Sequence, residues 1–169
     1  MSTDGRLLDG ERMGAWHEWI VAARTFTAHL DRLLGSEVDL ALVDFELLDG
    51  LGAAPEPVRM CDLGSSVALT RSGATRAVTR LENLGLVRRL PSPTDRRSTV
   101  VELTTHGREV RARAALVVER EVESNFVGVL GAPGTLAAGE AARQVRAALR
   151  RTPACRAQAE QDAASGSED

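Results

Sequence analysis

Ser72, Arg76 and Thr79 recur at helical spacing, so a helix over this stretch carries a guanidinium and two hydroxyls on one polar face. Ala74, Ala77, Val78, Leu81 and Leu84 form the opposite, apolar stripe, which is suited to a core. A guanidinium fork matches O6 and N7 of guanine together, and hydroxyls bond to base edges or phosphates. Further on, Val87–Leu90 and Ser98–Leu103 read as strands joined by the turn-rich PSPTDRR, which puts Asp95, Arg96 and Arg97 at a hairpin tip. A polar-faced helix beside an Arg-tipped hairpin is equipped to reach two grooves of a DNA duplex at once.

Roles follow from residue type and place. Arg76 is the candidate for a bidentate contact to guanine, Ser72 and Thr75 for base edges or phosphates, and Thr79 lies one turn further along. Thr70 is the natural N-cap, and the helix start it marks offers backbone N–H groups to a phosphate. Arg71 and Arg80 are assigned to the phosphate backbone. At the tip, Arg97 is the candidate for the minor groove, and Arg96 holds phosphate or pairs with Asp95 so that Arg97 is presented. Arg88 and Arg89 add non-specific, salt-sensitive attraction.

These residues need elements to hold them. Trp16, Ile20, Ala23, Thr27, Leu30 and Leu34 predict a long amphipathic helix from Arg12 to Leu34, with Trp16 and Trp19 giving it a large area to bury. A second helix is expected from Leu40 to Leu51 with Asp39 as its N-cap, and a third from Val58 to Val67, weakened by Gly64. Gly85 closes the fourth, polar-faced helix. Beyond a two-stranded wing, Thr104 or Thr105 caps a run from Gly107 to about Leu130, Gly131–Gly134 breaks it, and Leu136–Leu149 forms the last helix. The expected fold is mainly α: a winged helix-turn-helix between helical flanks. Residues 1–11 are expected to be a flexible N-terminus and 156–169 a disordered tail; 12–155 form one domain. Within that domain 12–35 and 107–150 are dimerisation helices and 38–104 the DNA-binding lobe, because the long end helices bring more apolar surface than a small lobe covers.

A net charge of −3 looks wrong for a DNA binder until the charges are placed along the chain. Residues 1–67 hold 5 Arg and 12 acids, 68–113 hold 10 Arg and 4 acids, and 114–169 hold 6 Arg and 8 acids. Phosphate attraction depends on the field within a Debye length, roughly 8 Å, so the basic middle can act inside an acidic chain. No apolar run approaches the roughly 18 residues a membrane span needs, the N-terminus does not read as a signal peptide, and the two cysteines have no metal-ligand spacing. A cytoplasmic protein is expected. His17, His29 and His106 are too scattered for a metal site, and no phosphate loop, nucleophile elbow or paired catalytic carboxylates support an enzyme or a cofactor. Asp44, Glu46 and Asp49 read as a solvated helix face.

The segments TRSGATRAVTRLENLGLVRR and SPTDRRSTVVELTTHG, with AWHEWIVAARTFTAHLDRLL near the start, resemble the MarR family of bacterial winged helix-turn-helix transcription regulators. DRR followed at this interval by LTxxG is the most specific part. The resemblance covers most of residues 15–150 and implies a homodimer on a pseudo-palindromic operator, a ligand-responsive repressor of transcription. It further implies a small aromatic or phenolic effector between the dimer helices and the lobe, where Trp16, His17, Arg24 and Phe45 are the candidate lining. Two alternatives stay open: a thiol-based redox sensor at Cys61, and a winged-helix module that binds protein instead of DNA.

Overall fold

Ala74, Ala77, Val78 and Leu81 are each no more than 4% exposed, so the apolar stripe of the central helix is the floor of the core. A computed structural model describes residues 8–54, 57–60, 62–63, 67, 69–92 and 99–151. Its elements are α1 (Gly10–Val38), α2 (Leu42–Ala53), β1 (Val58–Arg59), α3 (Arg71–Asn83), β2 (Val87–Pro91), β3 (Thr99–Leu103), α4 (Thr105–Val122), a π-helical turn (Glu123–Val127) and α5 (Gly128–Arg151). Leu34, Leu47, Leu48, Leu81 and Val101, from α1, α2, α3 and β3, are wholly buried together, and Val110, Ala114 and Val117 of α4 close the cluster. The mainly helical winged architecture is the one expected.

Local chemistry sets the boundaries of the lobe. Thr70 caps α3 by accepting from the Gly73 N–H (3.2 Å), and Gly85 at φ 69° turns the chain out of it. Leu84, expected on the apolar stripe, falls after the helix has ended and is 51% exposed. Thr104 is the cap of α4: its hydroxyl accepts from the Gly107 N–H (2.9 Å) and reaches the Gly85 carbonyl (2.7 Å).

Several expectations are corrected. Asp39 is not the N-cap of α2 but the C-cap of α1 in a left-handed conformation (φ 55°), because α1 runs on to Val38 and the Asp39 and Leu40 N–H groups both point at the Leu34 carbonyl. The start of α2 is served from a distance, by Asp31 Oδ1 accepting from the Leu42 N–H (2.7 Å). Val58 and Arg59 do not begin a helix; they pair antiparallel with Val101 and Val100, giving a three-stranded sheet in the order β1-β3-β2 instead of a two-stranded wing. Directly after Pro57, the β-branched Val58 pairs with β3 and covers its open edge. The helix break falls where Gly131 adopts φ 66°, ψ 170°, although helical turns resume at once around Pro133.

Asp44 is not solvated either: it is 3% exposed and holds Arg80. Asp49 binds Arg111 of α4 (3.0 and 2.8 Å), while Glu46 is exposed as expected, with partial desolvation raising its carboxyl above the usual range. The stripe of α1 is buried only at Leu30 and Leu34. Trp16 is 55% and Trp19 45% exposed, so the first half of the helix stands clear of its own chain.

Candidate nucleic-acid interface

Helix α3 turns its alanines, Val78 and Leu81 inward, which forces Ser72, Thr75, Arg76, Thr79 and Arg80 outward, and all five are exposed. Thr70 Oγ1 lies 3.3 Å from Ser72 Oγ, so the cap also orients the first hydroxyl of the polar face. Among the described residues Arg76 has no ion-pair partner, and its fork is available to a ligand. Arg71 is the first residue of the helix, at the end where the helix dipole is positive.

Arg80, Arg88 and Arg89 are engaged inside the protein. Arg80 sends Nε to Asp44 Oδ2 (2.9 Å) and Nη2 to Asp44 Oδ1, a fork on a buried carboxylate that fastens α3 to α2 and raises the Arg80 pKa. Arg88 pairs with Glu102, its direct neighbour across β2 and β3. Thr79 donates its hydroxyl to the Thr75 carbonyl (2.9 Å) and accepts from Arg89 Nη2 (2.7 Å). The open stripe of α3 is therefore Ser72, Arg76 and the exposed Asn83, which the sequence reading passed over although it lies on the same helical face.

Asp95, Arg96 and Arg97 lie outside the described residues, as do Cys61, Gly64 and the segment 156–169. What is described of the wing is its base, β2 and β3 paired from Val87 with Leu103 to Pro91 with Thr99. That base lies against α3 through β2.

The four residues considered for an effector are not brought together. Trp16, His17 and Arg24 are exposed on α1, whereas Phe45 is 8% exposed within the core. A cleft of about 430 Å³ instead opens between α1 and the π-helical turn, floored by Val21, Ala22 and Phe26 and rimmed by His29, Arg32 and Asn125. Phe26 stacks on Phe126 at 6.3 Å beside it, and Glu121 binds His29 Nε2 at 2.8 Å. None of the four lines this cleft. Among the described residues no group of three His, Cys, Asp or Glu could hold a metal ion, and no helix is long and apolar enough to cross a membrane.

A three-stranded sheet with a capped, polar-faced helix packed on it, framed by long helices, defines a winged helix-turn-helix protein. The MarR family profile matches residues 38–98. A MarR family transcriptional regulator from Streptomyces coelicolor, solved in complex with DNA, is 33% identical at a TM-score of 0.82, over 88% of this chain and 94% of that one. The chain belongs to the MarR family, whose members are transcription regulators and not enzymes. AbsC, another MarR family regulator from S. coelicolor, is 28% identical (TM-score 0.81; 87% of this chain, 99% of that one). The PcaV regulator of S. coelicolor, solved in complex with its natural ligand, is 27% identical (TM-score 0.67; 80% of this chain, 95% of that one). Among curated proteins none matches.

Proposed function

We propose that this protein is a homodimeric, cytoplasmic repressor that grips a pseudo-palindromic operator with α3 and the wing and lets go when a small aromatic or phenolic effector binds. The observation that carries the reading is the exposed Ser72–Arg76 face of a helix whose other side is locked in the core, in a chain similar to one solved with DNA bound. Arg76 takes a guanine, Ser72 and Thr75 take base edges or phosphates, and the α3 N-terminus at Thr70 and Arg71 takes a phosphate. Arg97 enters the minor groove, with Asp95 and Arg96 shaping the tip.

Dimerisation is supported by apolar surface that one chain leaves uncovered. Met13, Trp16 and Trp19 on α1 and Val129, Leu136, Val145 and Leu149 on α5 are all more than 40% exposed, at the two ends of the chain. A second copy covers both with one two-fold interface and sets two α3 helices against half-sites about 34–36 Å apart. Ligand response is supported by the resemblance to PcaV, solved with its ligand. An effector acts by binding one spacing of the two lobes more tightly than the other.

Selection from a random duplex pool tests the reading, with sedimentation for the oligomer. A two-fold-symmetric consensus bound by a dimer is expected. No enriched sequence and no salt-dependent affinity for any duplex would leave only a protein-binding role.

A further inference from the structure

The structure assigns Arg89 a positioning role: its side chain clamps the wing strand β2 onto the reading helix α3, so that helix and wing meet DNA as one rigid unit. The inference rests on the DNA-binding reading above. Arg89 Nη1 donates to Glu82 Oε2 (2.6 Å), Nη2 donates to Thr79 Oγ1 (2.7 Å) and reaches the Thr75 carbonyl at 3.5 Å. Thr75, Thr79 and Glu82 stand at i, i+4 and i+7, so the guanidinium lies along two turns of one helix flank. The Arg89 backbone N–H also donates to Glu82 Oε1 (3.3 Å), so one carboxylate holds both the strand and its side chain.

This arrangement replaces the role of a free counter-ion. A cation paired at 2.6 Å and only 29% exposed is already neutralised before DNA arrives. What it supplies is geometry. β2 is an edge strand, held in the sheet on one side only, by β3. The five residues of β2 span about 17 Å, so a tilt of about 10° at one end moves the other by about 3 Å, more than a hydrogen bond tolerates. The clamp sits at the base, on the flank next to the Ser72–Arg76 stripe, where such a tilt is best resisted. Its carbonyl and hydroxyl contacts need a planar fork, which Lys cannot supply.

The test compares Arg89→Gln, Arg89→Lys and Glu82→Gln with the wild type, full-length, on the selected operator and on a random duplex over a salt series. Amide hydrogen exchange of β2 is followed in the same proteins without DNA. Expected are a loss of about tenfold in operator-over-random preference in all three variants, the size of one misread base pair. Random-duplex affinity and the salt slope should stay at wild-type values, and β2 amides should exchange faster. The double variant should be no worse than either single Gln variant. The proposal is overturned if Arg89→Gln weakens both duplexes alike and lowers the salt slope by about one phosphate while Glu82→Gln strengthens binding, for then Arg89 is a phosphate ligand. Unchanged β2 exchange in Glu82→Gln, which removes one charge and little volume, overturns it as well. A wild type indifferent to every duplex removes the functional reading instead, and the exchange measurement still decides the clamp.

Discussion

A β-carbon on Gly107 would stand 1.9 Å from the carbonyl oxygen of Leu86, so α4 can dock on the turn after α3 only because residue 107 has no side chain. The same carbonyl accepts from the Thr104 N–H (3.0 Å), and Thr104 caps α4 one turn before Gly107. The LTxxG pattern is thereby explained: the threonine closes a helix start and the glycine lets that start touch backbone. Gly107→Ala forces the α4 N-terminus away from Leu86, with no flexible side chain to yield. A loss of about 2–3 kcal/mol is expected, read as a lower urea midpoint at unchanged m-value.

Arg80 is held to Asp44, which is 3% exposed. Arg80→Ala leaves that carboxylate buried without its partner and should cost about 3 kcal/mol, the low end for a buried pair because Arg80 itself is half-exposed. Asp44→Leu with Arg80→Met should recover most of the loss in urea denaturation. If the single Arg80→Ala variant is as stable as the wild type, the pair is not a structural joint.

Arg76 and Arg97 should separate by kind of defect. Arg76→Ala removes the proposed base contact and is expected to relax sequence preference at one operator position by about 1–3 kcal/mol. Arg97→Ala should weaken binding to most operators alike. Mobility-shift titrations on the consensus and on single-base variants distinguish the two patterns.

Trp16 and Val145 present apolar surface at opposite ends of the chain. If the proposed dimer uses these faces, Trp16→Glu and Val145→Glu should each raise its dissociation constant at least about tenfold in sedimentation equilibrium, as for a central interface residue. Far-UV circular dichroism should be unchanged, because neither side chain belongs to the core of one subunit.

Glu121 receives His29 first and Arg120 second, and these hydrogen bonds hold its carboxyl below its ordinary value of 4.5. A carboxyl with a lowered folded-state pKa contributes stability that is fully present above pH 4.5 and is lost as pH falls through the folded value. The wild type should thus lose stability faster than Glu121→Gln below about pH 4.5, and the two curves should run parallel above pH 5.5. Thermal melts across pH 3–7 check this; parallel curves throughout would remove the pair from the acid response.

Much of the lobe was legible because it is encoded locally. The Ala74–Leu81 stripe, the Thr70 and Thr104 caps, the left-handed Gly85 and the alternation of β2 and β3 are all set by neighbours a few residues away, and each element formed close to its expected place. Asp39 was misassigned because an aspartate beside a helix start reads as an N-cap, whereas the preceding helix claimed it. β1 was hidden because two residues carry no period, and its reason for existing is the open edge of β3 some forty residues on.

The order of residues by itself determined the winged helix, its polar reading face and the segregation of cations into the middle of the chain, since periodicity, capping and charge are properties of short windows. Only the tertiary structure decided which of those cations are spent internally. Arg80 on Asp44, Arg89 on Glu82 and Arg111 on Asp49 look alike in sequence to Arg76. Whether a guanidinium meets a carboxylate or water depends on how helices cross, and helices cross where their apolar faces pack, not where their charges lie.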